Sequence, residues 1–362
     1  MRRSVLVATL VLASVVVAGV VWYGPFGGFR GNRQSDGPFV ASQQPGAVVT
    51  AADYRLSGPY THNNLSVYLV HGSETLEGKK FITLQESLEQ KNAIVHETSS
   101  VGELAIENHS QDADLFVQSG DIVKGGKQDR TLPYDTLIGA NSGRVPISSF
   151  CVEQSRWSKR GDESSSYFSS SSENLATSEM KRSASSPGEA SQQAVWTNVA
   201  KTQSRLEKKL GASVQADASK SSLQLTLESA AVKAAREPYV KALATILDGK
   251  TDVIGCVVVV NGRVVSADAY SSRDLFRKLW PKLLASSALE AFLESDAARG
   301  AMPASEQDVR TFLSEGETGK PVSEAVTERT YVHIRRSDKV ILIESCDRAR
   351  DNLVLHRSFI SR

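Results

Sequence analysis

Ile254-Gly-Cys-Val-Val-Val-Val-Asn-Gly-Arg-Val-Val-Ser-Ala267 sets two β-branched runs on either side of Asn261-Gly262. An Asn-Gly pair supplies the two φ > 0 positions of a type I′ turn, so this stretch predicts an antiparallel hairpin. Ser271 or Ser272 then caps a helix. In that helix Leu275, Leu279 and Leu283 recur four apart, as do Phe276, Trp280 and Leu284. Together they make a wide apolar stripe, expected to pack on the hairpin as core. Pro281 is expected to kink the helix.

Upstream of the hairpin the chain reads as helices. Val195, Val199, Gln203 and Leu206 trace one face of Ala194–Leu210, and Gly211 suits its carboxy-terminal cap. Leu223–Arg236 is a second helix, which Pro238 kinks or replaces with a new one carrying Tyr239, Val240, Leu243, Ile246 and Leu247. Earlier still come short runs with strand character: Leu65–Val70, Ala93–Glu97, Glu103–Glu107, Leu115–Val117, Val145–Ile147 and Phe150–Val152. Downstream, Tyr331–Ile334, Val340–Glu344 and Leu353–Phe359 predict three strands. They form a terminal meander or complete an earlier sheet. The order predicts an α+β protein: a β-rich N-terminal half with a sandwich or barrel-like sheet, then helices, the Asn-Gly β-hairpin and a C-terminal strand meander.

The organisation follows from composition. Met1-Arg2-Arg3 precedes an uncharged apolar run, Val5–Tyr23, about 28 Å long as a helix and so able to cross a bilayer core. It reads as a signal anchor or a signal peptide. Its length, the want of a clean cleavage site and the Trp22-Tyr23 pair favour the anchor. Arg2 and Arg3 then keep the amino terminus in the cytoplasm, which predicts a single-pass protein with an extracytoplasmic domain. Cleavage would instead give a secreted or periplasmic one. Residues 24–50, rich in Gly, Pro, Gln and Ser, read as a flexible tether. Residues 51–295 are the expected main domain, and 296–362 a C-terminal extension with strands. Ser155–Ser191, crowded with serine, predicts a disordered surface loop, or else a cap in which Tyr167 and Phe168 fold over a site.

With 42 basic and 41 acidic residues the net charge is +1, and no polybasic tract is present. Nucleic acid is not an expected partner. The six histidines make no His-x-x-x-His pair, so no metal site is predicted. Cys151, Cys256 and Cys346 lie in or beside apolar runs and read as small core residues. After export one pair could bridge, leaving one over.

Lys124-Gly-Gly-Lys-Gln-Asp-Arg130 is the best candidate for chemistry. Gly125 and Gly126 expose backbone N–H groups, and Lys124, Lys127 and Arg130 supply charge, which suits an anion. The run lacks the spacing of a Walker motif and of Gly-x-Gly-x-x-Gly. The plainer reading is a tight turn with solvated lysines and Arg130 paired to Asp129, Asp121 or Glu153. Asp129 and Glu153 are the carboxylates available for acid–base catalysis if their segments meet. Arg156-Trp157 either stacks a planar ligand or plugs the edge of the core.

Gly120–Arg130, Val145-Pro146, Phe150–Trp157, Val195-Trp196, the Asn261-Gly262 hairpin and Leu275–Lys282 together resemble the ARG and rhodanese-phosphatase superfamily-associated protein domain, a family of unknown function. The resemblance covers about Leu56 to Glu294. It carries Lys124, Gly125, Gly126, Lys127, Gln128, Asp129, Arg130, Glu153, Arg156 and Trp157 into the expected site. The family's name implies genomic company with ADP-ribose and phosphate-handling enzymes. Two readings follow. One is a domain that binds or processes a phosphate-bearing small molecule, ADP-ribose-like or nucleotide-like. In it Asp129 or Glu153 is the base and Trp157 stacks the ring. The other is a non-enzymatic module of the cell envelope, structural or protein-binding. The sequence names no cofactor and sets no oligomeric state. Its expected partners are the membrane, through the N-terminal helix, and a phosphorylated small molecule.

Overall fold

In the computed structural model, which describes residues 50–175, 177–185, 191–295 and 302–362, φ is 52° at Asn261 and 73° at Gly262, as a type I′ turn requires. The first half is strand-rich. It contains β1 (Arg55–His62), β2 (Leu65–His71), β3 (Phe81–Thr83), α1 (Leu84–Glu89), β4 (Ala93–Ser100), β5 (Glu103–Asn108) and β6 (Asp114–Val117). There follow β7 (Ile122–Gly125), β8 (Arg130–Thr131), β9 (Thr136–Ile138), β10 (Val145–Ser148), β11 (Phe150–Cys151) and β12 (Tyr167–Ser169). Helices α2 (Ser178–Ser185), α3 (Gln192–Leu210), α4 (Leu223–Glu228) and α5 (Ala230–Leu243) come next. The hairpin is β13 (Val253–Val260) and β14 (Arg263–Tyr270), followed by α6 (Arg273–Leu293) and α7 (Glu306–Gly316). Strands β15 (Val322–Ala325), β16 (Thr330–Arg336), β17 (Val340–Asp347) and β18 (Leu353–Ser361) close the chain.

The hairpin sits inside an eight-stranded sheet of order β1-β2-β13-β14-β18-β17-β16-β15. Every residue of β13 is buried. Cys256, Val258 and Val260 pack with Leu275, Phe276, Leu279, Trp280 and Leu283 of α6. Ile254, Val257 and Val259 pack on the other side with Val309 and Leu313 of α7. A strand covered on both faces needs apolar residues at every position, which explains its unbroken valine run. The expected α6 stripe therefore lies where the sequence places it. The C-terminal strands form a meander and also complete this sheet, since β18 pairs with β14.

A seven-stranded sheet has the order β10-β5-β4-β12-β7-β8-β11, and β3, β6 and β9 make a third sheet. The β-rich N-terminal half includes a nearly closed, barrel-like sheet, and the class is α+β, as expected. Val95, Leu104, Ile106, Leu115, Val123 and Phe168 share one core there.

Two expectations are corrected. Much of Ser155–Ser191 is ordered: β12 inserts between β4 and β7, and α2 buries Met180. Serine dominates its composition, yet Phe168, Leu175 and Met180 supply enough apolar surface to anchor it in the core. The helix expected over Leu223–Arg236 breaks at Ser229. The Ser229 side chain accepts from the Val232 N–H and caps α5, which then runs through Pro238. A serine hydroxyl offers the backbone a local alternative to continued helix. α6 likewise continues through Pro281.

Among the described residues no helix is long and apolar enough to cross a membrane. The Val5–Tyr23 run and all of the tether except residue 50 lie outside the described residues.

Gly255 tests the central sheet. A Cβ there would stand 2.1 Å from the Asp268 carbonyl oxygen and 2.8 Å from the Ala269 Cα on β14. Gly255→Ala is expected to lower unfolding free energy by about 1–3 kcal/mol in urea titration.

Candidate functional site

Strands β7 and β8 pair Ile122 with Thr131 and Val123 with Arg130, which leaves residues 126–129 as a hairpin tip. Gly125 has φ 113° and Gly126 φ 54°. Only glycine adopts the first freely. Gly126 also makes room: a Cβ there would lie 2.4 Å from the Phe168 ring. The sequence thus folds the tip tightly under β12, whose Phe168 pairs with Gly125 and Ser169 with Lys124. On the other side Arg130 of β8 pairs with Cys151 of β11.

This packing brings Asp129 and Glu153 together, and both are completely buried. Asp129 Oδ1 accepts from the Gly125 N–H at 3.0 Å and from Arg160 Nη2 at 3.1 Å. Its Oδ2 accepts from Arg160 Nη1 at 2.8 Å and Ser222 Oγ at 2.7 Å. Glu153 Oε2 accepts from the Asp129 N–H at 2.9 Å, and Oε1 from Arg156 Nε at 2.7 Å. Arg156 also donates to the Gly125 and Gly126 carbonyl oxygens, each at 3.1 Å. Gln128 Nε2 donates to the Glu153 carbonyl at 2.9 Å. All four carboxylate oxygens therefore have at least one donor.

The electrostatics split the pair. Burial pushes the Asp129 carboxyl above its ordinary value, Arg160 opposes the rise, and the Glu153 charge adds to it. Burial acts on Glu153 too, but the Arg156 and Asp129 N–H donors outweigh it and hold Glu153 below its ordinary value. Divergent carboxyls are what an acid–base pair would need. Here, however, both are sealed by the groups that shift them.

Arg130 is fully buried. Its Nη1 contacts Cys151 Sγ and lies 3.4 Å from Gln128 Oε1, while Nη2 is 3.6 Å from Glu97 Oε2. Burial pushes the Cys151 thiol up to about 11 against the opposing charge of Arg130, as suits a small buried core residue. Cys151, Cys256 and Cys346 are all free and buried.

Three of the expected residues reach the surface. Trp157 is 45% exposed, with Lys127 Nζ 5.2 Å and the Arg130 guanidinium 5.6 Å from its ring. Lys127 Nζ also donates to Ser99 Oγ at 2.9 Å. Lys124 points elsewhere, to Glu228 of α4 at 3.4 Å. Among the described residues no group of three His, Cys, Asp or Glu is placed to hold a metal.

Sequence reasoning missed Arg160, Ser222 and Glu97, whereas Phe168, expected in the alternative reading to fold over a site, does pack against Gly126. Arg160 lies inside the serine-crowded stretch, where a lone arginine looks solvated. An arginine beside Arg156-Trp157 was the available signal. Ser222 and Glu97 carry none, since only the tertiary fold brings them to Asp129 and Arg130.

The family model of the ARG and Rhodanese-Phosphatase-superfamily-associated Protein domain matches residues 53–360, and the chain belongs to that family. The match extends past Glu294 to include the C-terminal strands that complete the main sheet. No curated protein and no solved structure matches the chain.

Gly126→Ala is expected to cost about 1–3 kcal/mol in urea titration, from overpacking and a left-handed φ. In a Phe168→Ala background the same substitution should cost measurably less, since the ring it strikes is gone.

Proposed function

We propose that the Lys124–Arg130 loop is a structural clasp and that the domain serves the cell envelope as a non-enzymatic structural or interaction module. The observation that carries this is the saturation of Asp129 and Glu153. A general base needs an oxygen within reach of a substrate proton, and here each oxygen already receives an internal donor. The apolar Val5–Tyr23 run, flanked by Arg2 and Arg3, supports tethering of the module to a membrane. On this reading the glycines and arginines are what allow the clasp to close.

A second reading is favoured by one observation. Trp157 is exposed, with Lys127 beside its ring. An aromatic face and a cation suit a planar, phosphate-bearing ligand of the ADP-ribose or nucleotide type. In that case the ligand would rest on the clasp and leave its interior closed.

Thermal unfolding of the protein with inorganic phosphate, AMP and ADP-ribose separates the two. The clasp reading expects no saturable rise in Tm with any of them, and Lys124→Ala/Lys127→Ala should change Tm only slightly. A saturable rise that the double variant abolishes would establish the second reading instead.

A further inference from the structure

The clasp belongs to the seven-stranded sheet. At one edge of the eight-stranded sheet a hydrogen-bonded chain of three side chains stands outside it. Ser57 Oγ lies 2.7 Å from His71 Nε2, and His71 Nδ1 lies 2.8 Å from Asp252 Oδ1. Ser57 is on β1, His71 ends β2 and Asp252 directly precedes β13, three strands that neighbour one another in that order. The register produces the meeting. His71 pairs with Arg55 of β1 on one side and with Val253 of β13 on the other. Ser57, two residues beyond Arg55, shares its face of the strand and reaches His71 on the diagonal.

The protons in this chain can be placed. The His71 hydrogen bond is the largest influence on Asp252; with Arg55 it outweighs slight burial and holds the carboxyl below its ordinary value. An ionised carboxylate only accepts, so His71 Nδ1 carries the hydrogen between them. In the neutral imidazole Nε2 is then the acceptor, and Ser57 Oγ–H donates to it. The His71 side chain is 6% exposed, which fixes the ring in this orientation, and Arg55 braces Asp252 from its outer side. A nucleophile, a base in contact with its proton and a carboxylate orienting the base are thus all within hydrogen-bond reach.

The serine is also approachable. Ser57 is half-buried, the adjoining Gly58 and Pro59 are exposed, and β1 is the outermost strand of its sheet. The pairing of β1 with β2 slips between Ser57 and Tyr60. Gly58 takes φ 124° there, with the Val67 carbonyl oxygen 2.9 Å from where a Cβ would stand. Bulges of this kind re-aim side chains at sheet edges, and this one directly follows the serine. An open strand edge suits one covalent event on the protein itself better than repeated turnover of an enclosed substrate.

We propose that Ser57 is an activated nucleophile and a site of covalent acylation, which takes its acyl group from an activated ester or thioester. Ser57 Oγ attacks the carbonyl carbon. The Oγ–C bond forms, and the bond from that carbon to the leaving oxygen or sulfur breaks. The Ser57 proton passes to His71 Nε2 and from there to the leaving group. Asp252 is a positioning residue that holds the His71 tautomer. The modification adds to the module proposed above and leaves the clasp untouched.

Incubation of the full chain with p-nitrophenyl acetate and, separately, with a fluorophosphonate tests the assignment, with adducts located by peptide mass spectrometry. Ser57 should be labelled ahead of every other serine, and Ser57→Ala should remove that adduct. His71→Gln and Asp252→Asn should each slow labelling by at least about tenfold, while circular dichroism and Tm show a folded protein. Asp252 is 48% exposed in its side chain, so its variants keep the test decisive should His71→Gln fail to fold. Asp252→Glu, which retains the carboxylate, should label faster than Asp252→Asn. Three results would overturn the proposal: no Ser57 adduct with either reagent; an unchanged rate in folded His71→Gln or Asp252→Asn; or an Asp252→Glu rate no higher than that of Asp252→Asn.

Discussion

Two carboxylates buried side by side constrain this structure more than any other feature. Asp129 and Glu153 have no exposed surface, and an uncompensated buried charge costs several kcal/mol. Arg156 and Arg160 supply the compensation, from a segment whose composition suggests a solvated loop. The requirement runs both ways. The carboxylates hold residues 156–160 against the sheet, and those residues make burial of the carboxylates tolerable.

The consequences spread through the backbone. The Asp129 carbonyl accepts from the Val152 N–H, and the Val152 carbonyl from the Leu223 N–H. Ser222, which caps α4, reaches Asp129 directly. One loop of seven residues, Lys124–Arg130, thus ties the barrel-like sheet to β11, to the serine-rich segment and to the helical layer. Opening the loop would break several of these bonds together, and the buried carboxylates would lose donors at a cost of about 1–3 kcal/mol or more each. Its outer face carries the exposed Trp157 ring with Lys127 beside it.

The fold was largely legible where one physical signal dominated. Asn261-Gly262 between β-branched runs, the Leu/Phe/Trp stripe of α6 and Gly211 after α3 each have one good structural solution. Legibility failed where composition and position disagreed. Ser155–Ser191 is polar on average, but three well-placed apolar residues and Arg160 decide its fate. Ser229 reads as an ordinary helix interior residue until its hydroxyl is seen capping α5. The site was half legible. The glycine loop and Phe150–Trp157 were joined by the family resemblance, with the pairing of Asp129 and Glu153 conditional on the two segments meeting, and they do meet. Their closure by Arg160 and Ser222 depends on contacts across 31 and 93 residues of chain, which no local pattern encodes. A buried Asp135–His356–Asp268 cluster joins positions 221 and 88 residues apart, and no local pattern around its members marks it.

A double-mutant cycle on Asp129 and Arg160, read as unfolding free energy in urea, probes the clasp most directly. Asp129→Ala and Arg160→Ala should each destabilise the protein by about 3–5 kcal/mol, because each strands a buried partner. The double variant should cost less than their sum by about 2 kcal/mol or more. Additive losses, or single losses below about 1 kcal/mol, would contradict a structural clasp and return these residues to the status of a site free to do chemistry.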